Sequence, residues 1–215
     1  MTESNISKTR EAIAMHGRSL FERGFTVGSS GNISVRVPHG YLVTPTNSCL
    51  GRLDPARICL VDERWQYISG DKPSKELPLH SVMYETRPFT QAVVHLHSTY
   101  ATALSLLPDL DPQNALAPIT PYAIMRVGKL AAVPYTCPGA PEVVTHIRAL
   151  KGKHKAILLG NHGPVVSDTS LDNAVYAAEE LEETAKLIIL TRGMQPKLLS
   201  ISDVQTLVTT FKLDM

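Results

Sequence analysis

Apolar residues first recur at helical spacing. Ile6, Ile13, Leu20 and Phe21 make a stripe over residues 6–23, and Gly24 is a natural C-terminal cap. The polar turn Gly28-Ser29-Ser30-Gly31-Asn32 follows, and then Ile33-Ser34-Val35-Arg36-Val37 alternates as a strand does. Pro38-His39-Gly40 turns the chain into a second strand, Tyr41–Thr44, so the two form a hairpin. Ile58–Val61 and Trp65–Ile68 predict another hairpin across Asp62-Glu63-Arg64. A helix is expected over Glu76–Thr86, stopped by Arg87-Pro88. The apolar run Ala92-Val93-Val94 continues as a strand through His95-Leu96-His97 into a helix over residues 98–107. The Pro-rich stretch Pro108–Pro141 yields only a short helix near Tyr122–Arg126 and a short strand near Ala131–Pro134. A helix over Pro141–Leu150 and the strand Ala156–Leu159 come next. Leu171, Ala174, Val175, Ala178, Leu181, Ala185 and Ile188 stripe a long helix ending near Arg192-Gly193. Val204, Leu207, Val208 and Phe211 mark a last one over residues 203–212.

Hairpins followed by alternating helices and strands predict an α/β fold with a mixed, largely antiparallel sheet and helices on its faces. Nothing repeats and no linker interrupts the pattern, so residues 1–215 read as one domain. With 43% hydrophobic residues the chain can bury a sizeable core. A net charge of +1 gives no electrostatic reason for a nucleic-acid or membrane partner, so any phosphate recognition must be local. Cys49, Cys59 and Cys137 are odd in number and lack metal-type spacing, which predicts a reduced, cytoplasmic protein. The start, Met1-Thr2-Glu3-Ser4-Asn5, is polar, without the apolar segment of a signal peptide.

The candidate chemistry centres on His95-Leu96-His97. Residues two apart on a strand share a face, so the two imidazoles are expected side by side. Read alone, such a pair is as often one core residue and one exposed one. Two further groups stand at the ends of apolar segments: Glu76, opening a helix after Pro73-Ser74-Lys75, and His162, between Asn161 and Gly163 after Ala156–Leu159. Three His and one Glu would make a nitrogen/oxygen site, for which zinc is the default metal. Gly28–Asn32 offers backbone N–H groups as an anion nest, and Asn32, Thr46, Asn47 and Ser74 offer side-chain donors. Without the metal motif these segments would be ordinary turns. His80 lies one helical turn after Glu76, as an orienting partner or as a structural His. His16, His39, His146 and His154 read as surface positions. The Gly-rich turn matches no dinucleotide or P-loop pattern.

Gly31-Asn32-Ile33-Ser34, Thr44-Pro45-Thr46, Pro73-Ser74-Lys75-Glu76, His95-Leu96-His97 and Asn161-His162-Gly163 occur in one order. In this the chain resembles, over residues 8–192, the zinc-dependent class II aldolase family that includes L-fuculose-phosphate aldolase, ribulose-phosphate 4-epimerase and the adducin head domain. Pro-Ser-Lys-Glu is similar to the 3-oxo-tetronate 4-phosphate decarboxylase branch, where the aldolase has Pro-Ser-Ser-Glu. The resemblance implies a three-layer αβα fold and a homotetramer with active sites at subunit interfaces. It implies one Zn2+ per subunit on His95, His97 and His162, with Glu76 as displaceable fourth ligand and proton acceptor. It places Asn32, Thr46, Asn47 and Ser74 near the substrate phosphate, with Asn47 standing where the aldolase has Gly. Lys75 adds a cation that suits the extra carboxylate of a sugar-acid phosphate. Tyr122 would be a general acid reaching across from a neighbouring subunit, with Tyr135 and Tyr100 as alternatives.

The implied reaction is decarboxylation of a 3-oxo-tetronate 4-phosphate to dihydroxyacetone phosphate and CO2. The rivals within the family are sugar-phosphate aldol cleavage and methylthioribulose-phosphate dehydration. An epimerase is disfavoured, because its C-terminal His/Tyr region has no match. From another class, an adducin-like interaction module would have lost metal ligands that this chain keeps.

Overall fold

The computed structural model describes residues 3–213; Met1 and Thr2 of the polar start lie outside them. Eight strands form one sheet: β1 (Asn32–Val37), β2 (Gly40–Val43), β3 (Cys59–Asp62), β4 (Tyr67–Ser69), β5 (Ala92–His95), β6 (Leu130–Val133), β7 (Ala156–Leu159) and β8 (Gly163–Asp168). Their order is β4-β3-β2-β1-β5-β8-β7-β6. Every neighbouring pair is antiparallel except β6 with β7. Among the described residues six helices accompany it: α1 (Glu3–Glu22), α2 (Leu77–Thr86), α3 (Thr99–Ser105), α4 (Glu142–Ala149), α5 (Leu171–Leu190) and α6 (Ile201–Phe211). A π-helical turn occupies Ala123–Val127.

Strand alternation sorts the core into two layers. Ile33, Val35, Ala92, Val94, Ala156, Leu158 and Val166 face Ile13 and Leu20 of α1, Leu104 of α3 and Ala174, Ala178 and Leu181 of α5. Val43, Val61, Val93, Ile157, Leu159 and Val165 face Leu79, Val82 and Met83 of α2 and Val143 and Ile147 of α4. The architecture is therefore the expected αβα sandwich. Among the described residues no helix is long and apolar enough to cross a membrane.

Four readings are corrected. The central strand β8 was not expected, because Gly163-Pro164 reads as a breaker. Pro164 is tolerated at the second position of the strand, where its missing N–H costs one ladder bond and its carbonyl still accepts from Leu96 N at 3.1 Å. The strand carrying His95 stops there, so His97 lies beyond it. His16, on α1, is not at the surface: it is buried and pairs with Asp172 of α5 at 2.7 Å. His154 is buried too, with Nε2 3.0 Å from the carbonyl of Gln113.

The start of α3 depends on a side chain from α5. Ser98 stands at the N-cap without a side-chain cap bond. Buried Glu182 instead accepts from the backbone N–H of Tyr100 at 2.8 Å and of Ala101 at 2.7 Å. A carboxylate suits the positive end of a helix, and here it also pins the segment that follows His97. Glu182→Ala is expected to lower unfolding free energy by about 2 kcal/mol in denaturant titration, since it orphans two buried donors. Glu182→Gln keeps an acceptor and should cost less.

Candidate metal centre

Strand direction decides what meets at the sheet edge. β5 and β7 end there, β1 and β8 begin there, and Asn32 pairs across from His95. His95 lies two residues after Val93, which packs towards α2, so its ring is sent to the same side. Glu76 is the residue before α2, its carbonyl accepting the first helical bond from His80 N at 3.2 Å. The β7–β8 turn supplies His162.

The ligand atoms converge. His97 Nε2 is 3.1 Å from His95 Nε2 and 3.1 Å from His162 Nε2. Glu76 Oε2 is 3.5 Å from His95 Nε2, and Glu76 Oε1 is 3.5 Å from His162 Nε2. One ligand atom from each of the four residues lies within 4.8 Å of every other. Tetrahedral ligands at the usual zinc distances stand about 3.3 Å apart, close to these edges.

Proton bookkeeping points the same way. His95 Nδ1 donates to the Pro164 carbonyl at 2.9 Å, which leaves a bare lone pair on Nε2 of the neutral ring. A proton on His97 Nε2 can serve one neighbour and not both. Imidazole lone pairs thus face one another, and a cation satisfies them where hydrogen bonds cannot. Three imidazoles and a carboxylate make a donor set for a divalent transition metal.

The electrostatics keep the ligands in their binding forms. Burial pushes His95 down to about 4, against the opposing pull of Glu76. Burial also lowers His97 and His162, and the positive charge of Lys75 lowers both further. Burial alone would raise the Glu76 carboxyl. His95 in its protonated form, the Asn32 hydrogen bond, and His162 and His80 in their protonated forms outweigh it and lower the Glu76 carboxyl. Neutral imidazoles and an ionised carboxylate are what a metal needs.

The predicted phosphate residues gather around Glu76. Ser74 N bonds the carbonyl of Thr44, and Thr46 N bonds that of Lys72, which lays the Thr44–Asn47 turn against Pro73–Glu76. Ser74 Oγ accepts from Glu76 N at 3.2 Å, leaving its own O–H free to donate. Asn47 is exposed with φ +53°, a left-handed conformation that Asn and Gly share, which accounts for Asn where the aldolase has Gly. Lys75 is exposed beside the cluster. Asn32 donates one of its two amide N–H groups to Glu76 Oε2 at 2.8 Å. Tyr122 is 56% exposed at the start of the π-helical turn and makes no hydrogen bond to the four clustered residues. Tyr135 is 59% exposed.

Sequence reading passed over the segment Thr136–Gly139, which lines a small crevice together with Glu76 and His162. It also missed Ser34 and Tyr84. Their signal was present, since Ser34 repeats Asn32 two residues on, and Tyr84 repeats Glu76 and His80 at intervals of four.

The family profile described as Class II Aldolase and Adducin N-terminal domain matches residues 11–189, and the chain belongs to that family. The chain is 49% identical to the 3-oxo-tetronate 4-phosphate decarboxylase of Haemophilus influenzae, over 92% of this chain and 95% of that one. It is 36% identical to the L-fuculose phosphate aldolase of Methanococcus maripaludis, over 82% of this chain and 93% of that one. The crystal structure of YgbL from Klebsiella pneumoniae superposes with a TM-score of 0.91 at 45% identity, covering 96% of this chain and 99% of that one.

Gly163 is the residue whose size the centre tolerates least. Its φ is +145°, and an added Cβ would stand 2.5 Å from the Leu96 carbonyl and 3.3 Å from His97 Cα. Gly163→Ala should therefore push the His162 turn away from His97. The expected loss in metal affinity is about tenfold to hundredfold, read by competition with a chromogenic chelator.

Proposed function

We propose that this chain is a metal-dependent carboxy-lyase that converts a 3-oxo-tetronate 4-phosphate to dihydroxyacetone phosphate and CO2. The observation that carries this reading is 49% identity, over 92% of the chain, to a decarboxylase of that name. The site supports it: a four-ligand cluster suited to Zn2+, and an exposed lysine beside it that fits a substrate carrying a carboxylate as well as a phosphate. We read the 215 residues as one domain of a cytoplasmic homotetramer whose active sites lie between subunits.

His95, His97 and His162 would hold the metal, with Glu76 as fourth ligand. The chemistry that a bound divalent ion supplies is polarisation of the C3 ketone, which gives the electron pair left by CO2 a place to go. Thr46, Asn47 and the free O–H of Ser74 bind the 4-phosphate, and Lys75 balances the added negative charge. The C1–C2 bond breaks, its electrons pass towards the C3 oxygen, and a proton returns to the former C2. Glu76 takes that proton from solvent water and passes it to the carbon. Tyr122, exposed on its own subunit, serves as general acid in the neighbour's site.

Incubation of the metal-loaded protein with enzymatically generated 3-oxo-tetronate 4-phosphate should release CO2 and dihydroxyacetone phosphate in equal amounts, and a chelator should abolish both. No release from protein holding one metal per subunit would move the reaction to aldol cleavage or dehydration. Glu76→Gln is expected to retain metal and lose about a hundredfold or more in kcat, and normal turnover would remove Glu76 from its role. His95→Ala should bind less than stoichiometric metal by elemental analysis.

A further inference from the structure

Behind Glu76 lies a line of buried polar groups that the reaction as written does not explain. Glu76, His80 and Tyr84 follow at four-residue intervals along α2, and Asn32 and Ser34 share one face of β1. The two rows interlock. Asn32 Nδ2 is 2.8 Å from Glu76 Oε2, and Asn32 Oδ1 is hydrogen-bonded to His80 Nε2. His80 Nδ1 is 2.6 Å from Ser34 Oγ, which is 3.1 Å from the Tyr84 hydroxyl. All five residues are buried, and His80 and Ser34 have no exposed surface. The Tyr84 ring is held against Tyr41, with centroids 4.7 Å apart, and against Trp65 at 5.7 Å.

The directions of the protons follow from the carboxylate end. An ionised carboxylate only accepts, so Asn32 turns its NH2 to Glu76 and its carbonyl to His80. His80 Nε2 therefore donates. A fully buried imidazole that touches no acid is neutral, so its Nδ1 accepts from Ser34. The Ser34 oxygen then accepts from Tyr84. Every donor in the line points towards Glu76, an arrangement in which each bond polarises the next. The two carboxylate oxygens are left unequal. Oε2 holds the Asn32 amide, whereas Oε1 receives no hydrogen bond from any described residue and faces His162 at 3.5 Å.

We propose that Asn32 and His80 are positioning residues for Glu76: the buried line anchors Oε2 and leaves Oε1 as the oxygen that delivers the proton to the former C2. This rests on Glu76 being the proton carrier in the reaction proposed above. A carboxylate held by one oxygen turns only about that anchor, so Oε1 stays over the cluster instead of rotating away.

Three variants test the line. His80→Gln keeps a donor and an acceptor, His80→Leu removes both, and Tyr84→Phe removes only the last hydroxyl while keeping the ring. Metal-loaded His80→Leu is expected to lose about tenfold to hundredfold in kcat with KM little changed. The cobalt-substituted variant should also show a shifted visible absorption band without substrate, because the carboxylate ligand moves. His80→Gln should recover most of both properties, and Tyr84→Phe should lose kcat in the same direction by less. A folded, fully loaded His80→Leu with wild-type kcat and cobalt spectrum overturns the inference, as does a loss confined to KM. If His80→Leu does not fold, Tyr84→Phe and Ser34→Ala decide, and wild-type kcat in both overturns it. A wild-type protein that releases no CO2, while its cobalt spectrum still responds to His80→Leu, overturns the proposed reaction and leaves the anchoring of Glu76 standing.

Discussion

Three imidazoles, with the Nε2 atoms of His95 and His162 each 3.1 Å from that of His97, are the constraint around which this molecule is arranged. Lone pairs at that distance repel unless protons or a cation lie between them, and burial denies them the protons. The fold must supply the force that holds them together before any metal arrives. It does so with backbone: β8 lies between β5 and β7, and the Pro164 carbonyl fixes both the Leu96 amide and the His95 ring. The cluster is preorganised by a central strand and by Gly163, where an added Cβ would clash with the Leu96 carbonyl beside His97.

The two faces of the sheet divide the remaining work. On one side α1, α3 and α5 form an apolar layer whose polar exceptions are structural, as when Glu182 caps α3 and Asp172 pairs with His16. On the other side α2 carries a buried polar row along its length. Its leading residue contributes the carboxylate, its interior supplies His80 and Tyr84, and the apolar residues between them, Leu79, Val82 and Met83, pack it onto the strands. Because a single helix does both, the position of Glu76 depends on core packing as well as on its hydrogen bonds.

Much of this was legible along the chain. The hairpins β1–β2 and β3–β4 and the helices α1, α2, α4 and α5 follow from period and punctuation, and the ends of apolar runs marked Glu76, His95, His97 and His162 as candidates. Where the reading went astray, a local rule lost to context. Gly163-Pro164 carries no strand signal and yet begins one, since an early strand position gives up one donor and the neighbours supply the rest. His154 stands between Lys153 and Lys155 in sequence, yet it is buried with its ring against the Gln113 carbonyl, and His16 is buried against Asp172 of α5.

The sequence by itself determined which residues alternate, which recur every fourth position, and therefore which side chains share a face. Family membership followed from motifs in order, since their residue types are chemically restricted. Only the tertiary structure decided that β5 and β7 end, and β1 and β8 begin, at one edge of the sheet. It alone turned the Asn32 amide towards Glu76 and made that carboxylate the terminus of a buried line of donors. The physical reason is that periodicity is a property of neighbouring residues. The partner of a buried polar group is chosen instead by strands and helices tens of residues away, because no water is there to take its place.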